Sequence, residues 1–217
     1  MGLTLHGYWR SGAAWRVRIA LALKGLAHDA CSHDLRSGAQ RDADYRRLNP
    51  QGLVPALDPG MAGEAPLTQS LAIIEWLEET HPAPALLPGD ALGRARVRAM
   101  AQVIACDVHP LGNLRVLQAL KGDLGADDAQ VHAWLARWMG EGLAALETMV
   151  ARWGQGFAYG DAPGLVECCL VPQLYAARRF GVGLEAWPRL VEIDARCAML
   201  SAFAAAHPAA QADADQA

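Results

Sequence analysis

The sequence predicts a small α/β domain followed by an all-helical domain, a fold class of α/β plus all-α. Strand and helix patterns alternate over the first eighty residues, whereas every later segment has the periodicity of a helix. Between them, residues 81–90 contain Pro82, Pro84 and Pro88, which a continuous helix would not accommodate. The predicted domains are therefore residues 1–82 and 90–217.

The first domain is predicted to begin with a β-α-β unit. Alternating apolar residues predict a strand from Leu3 to Tyr8, and helical spacing predicts a helix from about Ala13 to Lys24 that ends at Gly25. A second strand is predicted near 28–34. A brief helix follows it at about 40–48.

A shorter β-β-α unit is predicted to complete this domain. Pro55 makes the extended segment 54–57 either an edge strand or the site of a cis peptide, and a weak strand signal follows at 66–68. Ser70 is the predicted N-cap of a helix over 71–80. The buried face of this helix should carry Leu71, Ile74 and Leu77. The exposed face should carry Glu75, Glu78 and Glu79.

The second domain is predicted to be helical throughout. Hydrophobic residues make up 53% of the chain but aromatic residues only 6%, because alanine and leucine dominate, and both favour helices. Glycine and proline separate the periodic segments. The predicted helices lie at about 91–120, 128–153, 165–180 and 188–206.

Charge and cysteine content exclude several classes of protein. The net charge of −4 comes from 19 basic and 23 acidic residues, which argues against a nucleic-acid-binding surface. No apolar stretch is long enough to cross a bilayer, so no membrane association is expected. The start of the chain lacks a signal-peptide pattern, so the cytoplasm is the expected location. The five cysteines are odd in number and form no C-x-x-C pair, so we expect reduced, mostly buried thiols rather than disulfides or a zinc site, and no metal.

Ser11 lies at the junction between the first predicted strand and the first predicted helix. Local sequence alone favours an ordinary helix N-cap at this position. The same geometry would also stabilise an anion, because a helix N-terminus and a hydroxyl donor both favour negative charge. If that anion is a thiolate, its sulfur must come from a ligand, since no cysteine lies near Ser11 in the sequence.

Two further segments could complete a binding site for a short anionic peptide. Val54 offers one backbone N–H and one C=O for an extended ligand, although Pro55 after it also fits a plain edge strand. Gln69 and Ser70 open the helix at 71–80, where a carboxylate would be favourable, although they also fit a plain cap. Together with Ser11, these residues form a candidate cradle for a thiol peptide.

Four ordered motifs carry a family resemblance over nearly the whole chain, from about residue 3 to 210. They resemble zeta-class glutathione transferases, which include maleylacetoacetate and maleylpyruvate isomerases. The motifs are YWRSGAAWRVRI at 8–19, NPQGLVPAL at 49–57, QSLAIIE at 69–75 and LVPQ at 170–173. The resemblance implies the glutathione-transferase fold, with a thioredoxin-like N-terminal domain and an all-helical C-terminal domain.

The resemblance also implies glutathione as the cofactor, a homodimer, and a small dicarboxylate substrate from the breakdown of aromatic compounds. Ser11 would hydrogen-bond the glutathione thiolate, Val54 before a cis Pro55 would pair with the cysteinyl backbone, and Gln69 with Ser70 would hold the γ-glutamyl end. The implied catalytic residues are Ser11 and Arg10. The implied glutathione-binding residues are Ser11, Gly12, Ala13, Gln40, Val54, Pro55, Gln69, Ser70, His109, Asn113 and Arg115.

Three arginines are implied to select the substrate, namely Arg10, Arg115 and Arg179. Taken singly, each would more often be solvated surface. A guanidinium group nevertheless suits a dicarboxylate, because its planar fork donates two parallel hydrogen bonds. Arg115 resembles the maleylpyruvate-acting enzymes more than some maleylacetoacetate-acting ones, but the sequence leaves the choice between these substrates open.

The chain departs from the family pattern in two places. Ser11-Gly12-Ala13 stands where the family often has Ser-Ser-Cys, so a mechanism that needs an enzymic thiol is in doubt, whereas the glutathione thiol is unaffected. Gly164 replaces a capping Thr before the helix at 165–180, but Glu167 can still reach back in a capping box.

Two other functions use the same fold. One is a transferase or dehalogenase acting on small haloacids, which would consume glutathione in step with product. The other is a non-catalytic module that binds a partner protein, in which Ser11 would be dispensable.

Overall fold

The computed structural model describes residues 2–215. These residues form two compact units: one contains residues up to Leu86 together with those from Ala198 onward, and the other is Leu87–Cys197. The sequence-based division at 82–90 lies close to the first of these boundaries. It did not anticipate that the chain after Ala198 belongs to the first unit.

A four-stranded mixed sheet forms the centre of the first unit. Its strands are β1 (Leu3–Gly7), β2 (His28–Ser32), β3 (Ala56–Asp58) and β4 (Leu67–Thr68), in the order β2-β1-β3-β4. β1 and β2 are parallel, and β3 is antiparallel to both of its neighbours. The predicted β-α-β and β-β-α units are therefore confirmed. Of the two alternatives for Pro55, the cis peptide is the one observed, and β3 after it is an interior strand rather than an edge.

The part of this unit before Leu86 also contains the helices α1 (Gly12–Leu23), α2 (Ala43–Leu48) and α3 (Ser70–Thr80). A 3₁₀ turn at Ala39–Arg41 leads into α2. α1 is buried from Ala14 to Leu21, including Arg16 and Arg18, and it packs against α3. A helix buried on every face needs cover on every face, and this cover holds the N-terminus of α1 in place.

The predicted exposure of Glu78 on α3 was wrong. Glu78 is only 6% exposed because its carboxylate pairs with the ammonium group of Lys24, at 2.8 Å, and accepts a 2.9 Å hydrogen bond from the Leu86 N–H. Helical spacing placed Glu78 on the polar face, but the chain after α3 folds back over that face. Glu79 is exposed as predicted.

The second unit consists of helices and the loops that connect them, with one isolated β-bridge between Gly154 and Gly160 among the residues described. Its helices are α4 (Ala91–Gln102), α5 (Leu114–Gly122), α6 (Asp128–Trp153), α7 (Leu165–Arg179) and α8 (Pro188–Ala198). α6 has the bounds predicted from the sequence. The Glu167 carboxylate accepts hydrogen bonds from the N–H groups of Gly164 and Ala158, both at 2.7 Å, so the predicted reach-back at the start of α7 is confirmed.

The predicted helix at 91–120 is not continuous. A π-helical segment at Val103–Val108 and a 3₁₀ turn at His109–Gly112 separate α4 from α5. Pro110 lacks an N–H and cannot continue the helical ladder, and Asn113 then caps a new helix. The 188–206 segment is likewise two helices, since α9 (Ser201–Ala206) follows a break after α8.

The segment after Ala198 is anchored to the first unit through α1. The guanidinium of Arg18 donates to the carbonyl oxygens of Ala206, at 3.1 Å, and Trp9, at 2.8 Å. Asp213 accepts a 3.0 Å hydrogen bond from the Trp9 N–H. Burial lowers the pKa of Arg18 to about 10, so these carbonyl partners compensate a desolvated charge.

Among residues 2–215, no helix combines the length and the apolar character that crossing a bilayer requires.

Candidate functional site

Ser11 is the N-cap of α1, as local sequence favoured. Its backbone is extended, with φ −69° and ψ 115°, and its Oγ accepts a 3.3 Å hydrogen bond from the Ala14 N–H. A hydroxyl that accepts through oxygen keeps its own hydrogen for donation. Ser11, Gly12 and Ala13 are all partly exposed, so a ligand can approach the first turn of α1. Capping and anion binding are therefore compatible roles for Ser11.

The first turn of α1 carries no acidic residue. The N–H groups at a helix start have no intrahelical partner and create a positive potential. Arg10, immediately before the cap, lies with its guanidinium 5.2 Å from the centre of the Trp9 ring and is partly exposed. The loop from β1 to α1 thus combines a hydroxyl, backbone donors and a cation.

The turn before Val54 is fixed by a buried amide side chain. Asn49 is 2% exposed; its Nδ2 donates to the Leu53 carbonyl oxygen at 2.6 Å, and its Oδ1 accepts from the Gln51 N–H at 3.1 Å. The Tyr45 hydroxyl donates to the same Leu53 oxygen at 2.7 Å. These bonds hold the backbone that leads into Val54 and its cis peptide with Pro55.

Gln69 adopts a strained backbone at the start of α3. Its φ of 68° makes it the one non-glycine residue among those described with a positive φ. Such a conformation costs on the order of 1–3 kcal/mol and is concentrated at ligand-binding positions. The predicted N-cap moves by one residue, since α3 begins at Ser70 and Gln69 is its cap.

Ser70 and Gln69 each have a defined side-chain partner. The Ser70 Oγ accepts a 3.2 Å hydrogen bond from the buried guanidinium of Arg16 in α1. The Gln69 Nε2 donates to Gln51 Oε1 at 2.7 Å. Through these bonds, the start of α3 is tied both to α1 and to the turn before Val54.

Gln40 lies in the 3₁₀ turn before α2 and is 6% exposed. Its Oε1 is buried and has no hydrogen-bond partner within residues 2–215. The backbone oxygen of Gln40 lies close to Gly52: a Cβ atom at position 52 would be only 3.0 Å from this oxygen. Gly52 also has a positive φ of 63°, which favours glycine. Gln40 is thus held beside the turn at Gly52 that leads to Val54.

The remaining predicted residues belong to the second unit. His109 begins the 3₁₀ turn before α5, Asn113 caps α5, and Arg115 is the second residue of that helix, exposed to solvent. The Asn113 Oδ1 accepts from the Arg115 N–H at 3.2 Å. Arg179 is the last residue of α7, with its guanidinium 4.4 Å from the centre of the Phe180 ring. The break at Pro110 thus separates His109, in the 3₁₀ turn, from Asn113 and Arg115 at the start of α5.

Sequence analysis missed two residues that position this site, Asn49 and Arg16. Asn49 precedes a proline, where Asn often turns the chain through its own side chain, so that signal was available. Arg16 is 3% exposed within an apolar helix. No local pattern pairs it with Ser70, 54 residues away in the chain.

Residues 5–85 match the family described as glutathione S-transferase, N-terminal domain. The chain is 50% identical over 213 residues to a maleylacetoacetate isomerase of Pseudomonas aeruginosa. The alignment covers 97% of this chain and 98% of the relative.

Solved structures give the same picture. A holo maleylpyruvate isomerase, described as a bacterial glutathione S-transferase of the zeta class, superimposes with a TM-score of 0.93 at 46% identity, covering 98% of this chain and all of that one. A maleylacetoacetate isomerase of Anaeromyxobacter dehalogenans with bound glutathione has a TM-score of 0.90 at 47% identity, covering 99% and 98% of the two chains. The latter enzyme has also been solved with dicarboxyethyl glutathione and citrate in its active site.

Proposed function

The chain belongs to the zeta class of the glutathione S-transferase family, and from this premise we propose its function. It catalyses the glutathione-dependent cis–trans isomerisation of a maleyl keto acid. The observation that carries the proposal is the full-length likeness to maleylacetoacetate and maleylpyruvate isomerases. The fold alone would not distinguish an isomerase from a transferase.

The residues of the first unit fit glutathione. The family resemblance implies a contact of Gln40 with glutathione, and the Gln40 backbone oxygen lies beside Gly52, in the turn that leads to Val54. Val54 offers backbone groups to the cysteinyl residue, as an extended peptide pairs with a strand. The start of α3, at Gln69 and Ser70, suits a carboxylate. We assign His109, Asn113 and Arg115 of the second unit to the same ligand.

When bound, glutathione supplies a thiolate that adds reversibly to the conjugated cis double bond, permits rotation about it and is regenerated. Ser11 donates its hydroxyl hydrogen to this sulfur and, with the N-terminus of α1, favours the ionised form. Arg10 is placed to stabilise the negative charge that develops on the keto oxygen of the substrate. No enzymic cysteine is required, which agrees with Ala13 at the position where the family often has Cys.

Arg10, Arg115 and Arg179 are the proposed partners of the substrate carboxylates, since guanidinium groups bind carboxylates in a bidentate manner. Dicarboxyethyl glutathione, held by the related enzyme, carries two such carboxylates next to the sulfur. Maleylacetoacetate and maleylpyruvate both remain candidates. The homodimer and the cytoplasmic location stay predictions.

The isomerase assay uses the purified protein with glutathione and, separately, maleylacetoacetate or maleylpyruvate. We expect loss of the cis isomer to be accelerated over glutathione alone, while the total concentration of free glutathione stays constant. The substrate with the higher kcat/KM identifies the physiological class. No acceleration with either compound would contradict the proposal, and consumption of glutathione in step with product would identify a transferase.

Asn49→Ala is expected to raise the KM for glutathione about fivefold with little change in kcat, because both side-chain hydrogen bonds of Asn49 are lost and the turn before Val54 is less well ordered for binding, at a cost of about 1 kcal/mol in binding free energy. The free energy of unfolding should fall by about 1–3 kcal/mol. Steady-state kinetics and urea denaturation measure the two effects.

Tyr45→Phe is the matched control, because it removes the other hydrogen bond to the Leu53 oxygen and leaves that of Asn49 in place. Its effect on KM should be smaller. A fall in kcat at unchanged KM in Asn49→Ala would show that Asn49 does not act through glutathione binding.

A further inference from the structure

A cluster of three side chains with metal-ligating atoms lies at one edge of the sheet. His6 on β1 is directly opposite Cys31 on β2, and His33 follows two residues after Cys31. One ring nitrogen of each histidine and the sulfur of Cys31 all lie within 4.8 Å of one another. The His6 Nδ1 and the His33 Nε2 are 3.1 Å apart.

This cluster lies on the face of the sheet opposite α1. Gly7 faces α1, since a Cβ on it would lie 3.1 Å from the Ala14 Cβ. Side chains alternate along a strand, so His6 projects to the other face. There the buried ring of Tyr45 from α2 packs 4.4 Å from the His33 ring and 6.5 Å from the His6 ring, measured between centroids.

None of the three ligand residues is fully exposed. Backbone contacts also fix the geometry, because the His33 N–H donates to the Gly7 carbonyl oxygen at 2.8 Å.

We propose that His6, Cys31 and His33 bind a zinc ion. Two imidazoles and one thiolate are ligands that zinc accepts in tetrahedral geometry, and a solvent molecule can fill a fourth position. The 3.1 Å between the two histidine nitrogens is close to the separation of two nitrogens that share a tetrahedral ion at about 2.0–2.1 Å each. The Cys31 sulfur lies within 4.8 Å of both nitrogens, so it has to move closer to them to bind the same ion.

The role that follows from this position is to link two strands of the sheet. The ion would join the C-terminal ends of β1 and β2 below the loop that leads to Ser11. This role does not depend on the isomerase function, because none of the three ligands belongs to the glutathione cradle. It departs from the sequence-based expectation of no metal, which rested on Cys spacing and did not consider ligands paired across two strands.

The test is titration of zinc chloride into the tag-free protein without glutathione, since glutathione itself binds zinc. We expect one equivalent to bind by calorimetry. The melting temperature should rise by roughly 5–10 °C when free zinc is a hundredfold above Kd. Cobalt(II) should give the visible spectrum of a tetrahedral site, with a sulfur-to-cobalt charge-transfer band.

Cys31→Ser and His33→Ala test the ligands. Since loss of outer-shell partners alone costs about 10- to 100-fold in metal affinity, each variant should weaken binding at least that much, and Cys31→Ser should also remove the charge-transfer band. Cys106→Ser is the matched control, because Cys106 is an exposed thiol of the second unit.

Unchanged zinc affinity in both ligand variants, or an equal loss in Cys106→Ser, would overturn the proposal. So would the absence of binding to a folded wild-type protein, in which case the two histidines form only a hydrogen bond. Isomerase activity measured in parallel separates this result from the proposed function.

Discussion

Ser11→Ala is expected to lower kcat/KM for isomerisation about ten- to hundredfold, because a hydrogen bond to a charged group contributes about 1.5–3 kcal/mol. The Ser11 hydroxyl is the one side-chain donor that the α1 cap offers to the glutathione sulfur. The backbone N–H groups of the first turn remain in the variant, so activity should fall without vanishing. Steady-state kinetics at saturating glutathione measures the effect.

The pH profile shows whether Ser11 acts on the thiolate. A free thiol has a pKa of about 8.5, and stabilisation of the anion by Ser11 and the helix N-terminus lowers it. Loss of about 1.5–3 kcal/mol corresponds to about one to two pKa units. The apparent pKa in kcat/KM, and that of bound glutathione by thiolate absorbance, should therefore rise in Ser11→Ala toward the free value.

Ser11→Asp separates catalysis from capping. Aspartate is among the best N-cap residues, so this variant should keep or raise the melting temperature relative to Ser11→Ala. Its carboxylate would repel a thiolate, so its activity should be lower than that of the alanine variant. Recovery of activity in Ser11→Asp would mean that Ser11 matters only as a cap.

The sequence was a good guide wherever a local signal determines the structure. Ser11 as a helix cap and the bounds of α6 both follow from residues that lie next to one another. At Pro55 the local residues left an edge strand and a cis peptide open, and the family resemblance implied the cis form that is observed. The candidate cradle around Val54 and Gln69 came from local strand and cap signals, and the family motifs then implied the role of each residue. The structure adds its supports, the Asn49 amide and the strained Gln69 backbone.

Features that depend on distant segments could not be predicted in this way. Glu78 fits the polar face of an amphipathic helix, and only the return of the chain at Leu86 buries it. His6 and Cys31 are 25 residues apart in numbering and meet because β1 and β2 are parallel and in register. The packing of the chain after Ala198 onto the first unit depends on Arg18, which donates to the carbonyl oxygen of Ala206, 188 residues away, and to that of Trp9, 9 residues away.

Lys24→Met is expected to lower the free energy of unfolding by about 3–5 kcal/mol, because it leaves the Glu78 carboxylate buried without its cation. The Lys24 side chain is fully buried, and its ammonium donates to Glu78, at 2.8 Å, and to the carbonyl oxygens of His81, at 2.7 Å, and Pro84, at 2.9 Å. Methionine preserves much of the volume but supplies none of these donors. Urea denaturation of the purified variant measures the loss.

The double variant Lys24→Met/Glu78→Gln tests the cause of this loss. A neutral amide at 78 can still accept from the Leu86 N–H, so the double variant should be more stable than Lys24→Met alone, although the carbonyls of His81 and Pro84 stay without their donor. Lys121→Met is the matched control, since Lys121 pairs with the exposed Asp128 and its loss should leave the denaturation midpoint nearly unchanged. If Lys24→Met were no worse than Lys121→Met, the buried pair would not hold the chain after α3 against α1. If adding Glu78→Gln to Lys24→Met did not restore any of the free energy of unfolding, the main destabilisation would come from the His81 and Pro84 carbonyl oxygens that lose their donor.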